Sequence, residues 1–152
     1  VVVSEPGAAR RARAARLGAT AVLDPGAAPL AEAFRAVAGG PPDLIFECVG
    51  IPGMLQRMIE LAPPRGRITV VGVCMEEDRL RPRMAIRKEL TLRFVLAYDR
   101  ADFARVLGHV AAGEIRAADF VTDVVGLDAL PGAFEALRRP GQQVKVLVDP
   151  GR

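Results

Sequence analysis

Apolar residues in this chain gather in short runs, and stretches at helical spacing separate them. Residues 1–4 are β-branched and read as a strand, which Pro6-Gly7 breaks to open a helix over residues 8–17 closed by Gly18. Residues 20–23 form a second strand candidate, ended by Asp24-Pro25-Gly26. Leu30 to Val37 carries apolar residues at helical spacing, and Gly39-Gly40-Pro41-Pro42 stops it. A third strand runs over residues 44–50. Pro52 suits the first turn of the next helix, which carries Met54, Leu55, Met58, Ile59 and Leu61. Residues 67–74 then form a fully apolar strand with Ile68, Val70, Val71 and Val73.

Strands without polar alternation, joined by short helices, indicate a parallel sheet covered on both faces. The expected fold class is therefore α/β, an incomplete doubly wound Rossmann-like sheet. After Cys74 the pattern changes. Glu76-Glu77-Asp78-Arg79 reads as a solvated loop, and residues 90–97 as another strand. Asp99 caps a helix over residues 100–112, ended by Gly113. Residues 120–125 are a short strand, 127–137 a last helix and 144–148 a last strand.

Composition narrows the class. With 152 residues, 51% hydrophobic and 26% charged, the chain reads as an ordinary soluble globular protein, expected in the cytoplasm. No apolar run approaches the roughly 18 residues that a membrane helix needs. The chain lacks a starting Met and opens inside an apolar run, so a fragment is expected. The net charge of +3 raises nucleic acid as a partner. Dispersed arginines, as in Arg10-Arg11-Ala12-Arg13, and scarce aromatics argue against it. Cys48 and Cys74 stand far apart and read as small buried hydrophobes in a reduced compartment. His109, the one histidine, has no ligand partner at metal spacing, so no metal site is expected here.

Glu5 is the most informative residue. It ends a short strand just before a helix, where dinucleotide-binding folds place an acid that accepts hydrogen bonds from the adenosine ribose. Its two oxygens match two vicinal hydroxyls and would oppose a 2′-phosphate, favouring NAD over NADP. The glycine fingerprint that should precede it by about 20 residues lies outside this chain.

Four segments carry a resemblance. Val1-Val2-Val3-Ser4-Glu5, with Arg10-Arg11 and Ala15-Arg16-Leu17-Gly18-Ala19 at the right spacing, resembles the second βα unit of the medium-chain dehydrogenase/reductase family, zinc-type alcohol dehydrogenase-like. Asp43-Leu44-Ile45-Phe46-Glu47-Cys48-Val49-Gly50 resembles its fourth-strand motif and Gly66-Arg67-Ile68-Thr69-Val70-Val71-Gly72-Val73 its fifth. Lys88-Glu89-Leu90-Thr91-Leu92-Arg93 resembles the run into its sixth.

The resemblance implies roles. Glu5 would hold the adenosine ribose with Arg10 close by. The backbone of Cys48, Val49 and Gly50 would line the nicotinamide ribose. Val71, Gly72 and Val73 would meet the nicotinamide, and Val95 and Ala97 would complete a backbone clamp on its carboxamide. Lys145 matches a basic position at the pyrophosphate, where a lysine acts as a point charge and not a fork. Gly72, lacking a Cβ, would let the backbone approach the cofactor. Val71 and Val73 also suit a core, and Arg10 and Lys145 an exposed surface.

It further implies that residues 1–97 are a nucleotide-binding domain without its first strand and glycine loop, and that residues 98–152 return to the catalytic domain. No catalytic residue is expected in this chain, which alone should be inactive. Zinc in the parent would draw its ligands from outside it. The parent is expected to oxidise a small alcohol or polyol with NAD, with NADP less favoured, and to pair with a second copy through the cofactor domain, with residues 80–86 part of the contact. A short-chain dehydrogenase would need Lys four residues after its Tyr; here Asp102 follows Tyr98. A methyltransferase explains Glu5 but not the later motifs. A zinc-free quinone-reductase-like enzyme of the same superfamily and a non-catalytic dimerisation or nucleotide-binding fragment stay open.

Overall fold

The computed structural model describes residues 1–138 and 141–152. Two compact units divide the chain: Val1–Asp24 with Tyr98–Arg152, and Pro25–Ala97.

The unit Pro25–Ala97 holds α2 (Leu30–Ala38), β3 (Leu44–Glu47), α3 (Met54–Leu61), β4 (Arg67–Val70), α4 (Pro82–Arg87) and β5 (Thr91–Phe94). The strands are parallel in the order β3-β4-β5, with Leu44 level with Arg67 and Arg67 with Thr91. Side chains alternate across a strand, so Ile45 and Glu47 of β3 and Ile68 and Val70 of β4 are buried on one face. Helix α3 answers them with Leu55, Met58 and Ile59, spaced to lie on one side of a helix. With Ala62 these form the core, and Leu30, Met84, Leu90 and Leu92 pack against it. A fully buried Ile such as Ile59 or Ile68 contributes about 1.5–3 kcal/mol over an exposed one. The opposite face carries Leu44 and Phe46, both exposed, whereas Phe94, level with Val70, lies on the core side at the exposed end of β5.

Lys88, just after α4, closes the end of α3. Its ammonium donates to the carbonyl oxygens of Ile59 (2.9 Å), Glu60 (2.8 Å) and Ala62 (2.7 Å). Those carbonyls have no partner within the helix, and a cation there also meets the negative end of its dipole.

In the other unit, β1 (Val2–Ser4) pairs in parallel with β2 (Ala21–Leu23) across α1 (Ala8–Arg16). β6 (Val121–Val125) pairs in parallel with β7 (Lys145–Val148), with a register shift between Val121 and Asp123. α5 (Arg100–Ala111) starts at Asp99, whose carboxylate accepts from Asp102 N while the Asp102 carboxylate accepts from Asp99 N. Arg13 reaches the Asp119 carbonyl, which ties α1 to the turn before β6.

Several expectations need revision. The helix expected over residues 127–137 is a 3-10 turn followed by α6 (Leu130–Ala136), with Pro131, which has no N–H to give, in its first turn. Pro52 precedes the next helix instead of entering it, because Gly53 is its N-cap. Helix α4 was not foreseen, and Pro82 opens it. The strands expected over residues 44–50 and 67–74 stop early, at Glu47 and Val70.

Candidate functional site

Glu47 stands at both early stops. Its carboxylate Oε1 accepts from the backbone N–H of Val49 (2.6 Å) and Gly50 (2.9 Å), turning the chain out of β3. Its carbonyl accepts from Val71 N (2.8 Å), the last rung of the β3–β4 ladder, and also from Gly72 N (2.9 Å), where the chain leaves β4. One buried residue therefore folds the two loops toward each other. Gly50 takes a left-handed φ of 68°, and a Cβ there would lie 2.6 Å from Val73 N. A Cβ on Gly72 would lie 2.3 Å from Gly50 N and 2.7 Å from Glu47 Oε2. Only glycine fits either place. The close approach at Gly72 is thus to the chain's own backbone, a need independent of any cofactor.

Where these loops meet, a cleft of about 390 Å³ opens at the carboxyl ends of β3, β4 and β5. Glu47, Gly50, Gly72, Val73, Phe94 and Val95 are among its lining residues. Crevices at that end of a parallel sheet are where α/β folds bind ligands. Cys48, Val49 and Val71 sit in the same two loops, and Val49, Val71 and Val73 are exposed. The Cys48 thiol is pushed up from its usual range, first by partial burial and then by the neighbouring Glu47 carboxylate.

The polar loop after Cys74 is less free than its composition suggested. Asp78 Oδ1 accepts from Gly53 N (2.7 Å), and Gln56 Oε1 accepts from Arg81 N (2.8 Å), so the loop is fastened to the start of α3. Asp78 also lines the cleft, as does Leu80. Ala97 adopts a φ of 58°, a left-handed conformation that a residue with a Cβ takes at a cost of about 1–2 kcal/mol.

In the first unit, Glu5 is fixed by its neighbours. Its Oε1 accepts from Gly7 N (2.7 Å) and Arg10 Nε (3.0 Å), and Arg10 Nη2 stands 2.9 Å away. Arg11 donates to the carbonyls of Glu5 and Pro6 and pairs with Asp24 at 2.8 Å. Glu5 and Arg10 are therefore a pair, and Oε2 of Glu5 makes no hydrogen bond to the described residues. Lys145 opens β7 with its side chain exposed, and its carbonyl accepts from Thr122 Oγ1 (3.1 Å). Among the described residues no three His, Cys, Asp or Glu side chains gather as a metal site, and His109 Nδ1 instead faces Glu114 Oε2 at 2.6 Å.

Glu47 is the residue of this cleft to which sequence reasoning gave no role. The available signal was its place two residues after Ile45, which puts it on the same buried face of the strand.

Comparison with known proteins gives a consistent picture. The sequence pattern described as zinc-binding dehydrogenase matches residues 1–112. The 2-dehydro-3-deoxy-L-galactonate 5-dehydrogenase of Pseudoalteromonas atlantica is 30% identical over 98% of this chain and 44% of its own length. The solved 2R,3R-butanediol dehydrogenase of Bacillus subtilis superposes with a TM-score of 0.86 at 28% identity, over 98% of this chain and 43% of that one. A structure from Sinorhizobium meliloti 1021, described as a zinc-binding dehydrogenase bound to NADP, gives a TM-score of 0.83 at 28% identity, over 99% of this chain and 45% of that one. The chain thus spans less than half the length of these relatives.

Proposed function

Because this chain belongs to the zinc-binding dehydrogenase family, we propose that it supplies the cofactor-binding part of an NAD(P)-dependent alcohol or polyol dehydrogenase. The observation that carries the reading is the cleft at the carboxyl ends of β3, β4 and β5, walled by the two loops that Glu47 folds together. Its size and its exposed Val73 and Phe94 suit a flat ring. When bound, the nicotinamide takes a hydride from an alcohol or returns it to a carbonyl.

The chain's own residues then have simple tasks. Val71 and Val73 present apolar surface to the ring and keep water from it. The backbone of Cys48, Val49 and Gly50 lines the ribose, and backbone groups of Val95 and Ala97 hold the carboxamide. Glu5, with Arg10 on its Oε1, offers Oε2 to an adenosine ribose hydroxyl. Lys145 takes the pyrophosphate. Residues 1–97 belong to the cofactor domain and 98–152 to the catalytic domain, and zinc, where the enzyme uses it, is held outside this chain. No helix among the described residues is long and apolar enough to cross a membrane, in keeping with a cytoplasmic enzyme. β5 is the edge of its three-stranded sheet and Ile86, just before it, is exposed. This edge is where we place contact with a second copy.

NAD is the preferred cofactor in this reading, because the Glu5 carboxylate opposes a 2′-phosphate. Arg10 and Arg11 do not reverse this, since both are already engaged by Glu5, Pro6 and Asp24. The test is a fluorescence titration with NADH and steady-state kinetics with NAD and NADP on the protein expressed from its complete reading frame. Saturable NADH binding and a higher kcat/KM with NAD are expected. Absence of NADH binding would sink the cofactor role, and a clear NADP preference would sink the role given to Glu5.

A further inference from the structure

We propose that Glu47 itself contacts the ligand of this cleft, through the carboxylate oxygen that the fold leaves without a partner. The inference rests on the cofactor reading above and adds to it a side-chain acceptor from the end of β3.

Glu47 is the buried charged side chain among the described residues, 4% exposed. Burying a carboxylate is costly unless hydrogen bonds replace its water. Oε1 has two such bonds, from Val49 N and Gly50 N. Oε2 has none from the described residues, although no side-chain oxygen fully closed off from solvent there lacks a partner. Oε2 therefore keeps access to solvent, and the opening that Glu47 lines is the cleft. It lies beside Gly72, where a Cβ would stand 2.7 Å from it, and so on the wall that the missing side chain leaves open.

A carboxylate oxygen at the floor of an apolar cleft accepts from hydroxyl or amide N–H donors and repels anions. The nicotinamide nucleoside end of the dinucleotide offers both donors, in its ribose hydroxyls and its carboxamide NH2. The pyrophosphate, carrying negative charge, is kept away from this floor. Glu47 in this way selects which part of the cofactor sits deepest, as well as shaping the loops around it.

The experiment compares wild type and Glu47→Gln, each from the complete reading frame, by equilibrium titration with NADH and two analogues. One analogue carries a 3-acetylpyridine ring, which lacks the amide N–H; the other lacks a hydroxyl on the nicotinamide ribose. Gln keeps an acceptor for Val49 and Gly50 but turns the second oxygen into a donor, and unchanged thermal unfolding checks that the loops stand. Wild type is expected to bind one analogue about 10- to 100-fold more weakly than NADH, the size of one hydrogen bond to a charged group. Glu47→Gln is expected to lose a similar factor for NADH and to bind NADH and that analogue alike. The analogue affected identifies the donor. Equal binding of all three ligands by wild type overturns the proposal, as does an analogue penalty that survives in Glu47→Gln. If Glu47→Gln does not fold, equal binding of all three ligands by wild type still overturns the proposal, and Glu47→Asp, which keeps the charge but draws the second oxygen back, takes the variant's place under the same two outcomes. No binding of NADH by wild type is a different result, because it removes the cofactor reading itself and this proposal with it.

Discussion

The two compact units are built from similar elements, yet they are held together differently. Apart from Leu23, the buried apolar core residues of the described chain lie in the unit Pro25–Ala97. There a three-stranded sheet and an amphipathic helix close on each other. The other unit has two-stranded pairs, β1-β2 and β6-β7, and leaves Phe103, Leu107, Phe120, Leu127 and Phe134 exposed. Its side-chain fastenings are polar: the Asp99 cap, the exposed local pairs Arg105–Asp102, Arg116–Asp119 and Arg138–Glu135, and the longer reach of Arg13 to the Asp119 carbonyl. Exposed pairs of that kind contribute about 0–1 kcal/mol each, and two strands alone are marginal in water. Parallel strand pairing thus does not by itself make a stable unit. A helix with a matching apolar face does.

The sharpest way to break this contrast is to empty one position in each unit. Ile59→Ala should cost about 2–5 kcal/mol in denaturant unfolding, because Ile59 is 1% exposed and the space it leaves cannot collapse. Phe134→Ala, at 70% exposed, should cost about 0.5 kcal/mol or less. Similar costs at both positions would show that the second unit owns a core of its own.

A smaller effect tests the fastening of α3. Lys88→Met keeps the length of the side chain and removes the three bonds to Ile59, Glu60 and Ala62. A loss of about 1–3 kcal/mol is expected, together with faster amide hydrogen exchange in the last turn of the helix. Unchanged exchange would mean that packing alone holds that end.

The smallest effect belongs to the polar unit. Asp99→Ala removes one half of a reciprocal cap and should cost about 1 kcal/mol. The measurement is the helical signal of residues 100–111 by NMR. A cost as large as that of Ile59→Ala would reverse the ranking of the two units.

Much of this organisation was legible in the sequence. Each β-branched run between Gly and Pro signals became a strand, and the four motifs point to the family that the comparison with known proteins shows. The strand ends were not legible. At β3 the Glu47 carboxylate turns the chain, and its bonds to Val49 and Gly50 exist only once the residue is buried. Helix α4 escaped for another reason: Pro82–Arg87 is a six-residue stretch with two arginines, too short to show a period. The grouping of Val1–Asp24 with Tyr98–Arg152 is held by contacts far apart in sequence, such as Arg13 with Asp119, which no local pattern carries. For Gly72 the expected reason was closeness to a cofactor; the structure adds closeness to Gly50 and Glu47.

That last triangle constrains how this protein can vary over evolutionary time. A first step from Gly72 to any other residue drives a new carbon into Gly50 N and Glu47 Oε2. A step from Glu47 to a residue without an acceptor unseats Val49 and Gly50, and a step from Gly50 pushes into Val73. Gly50 and Gly72 are thus each closed to a side chain, and position 47 is open only to a residue that keeps an acceptor in the same place. Lineages of this domain should keep Gly50 and Gly72 together with Glu or Gln at position 47, and a library randomised at all three positions should return survivors of that kind.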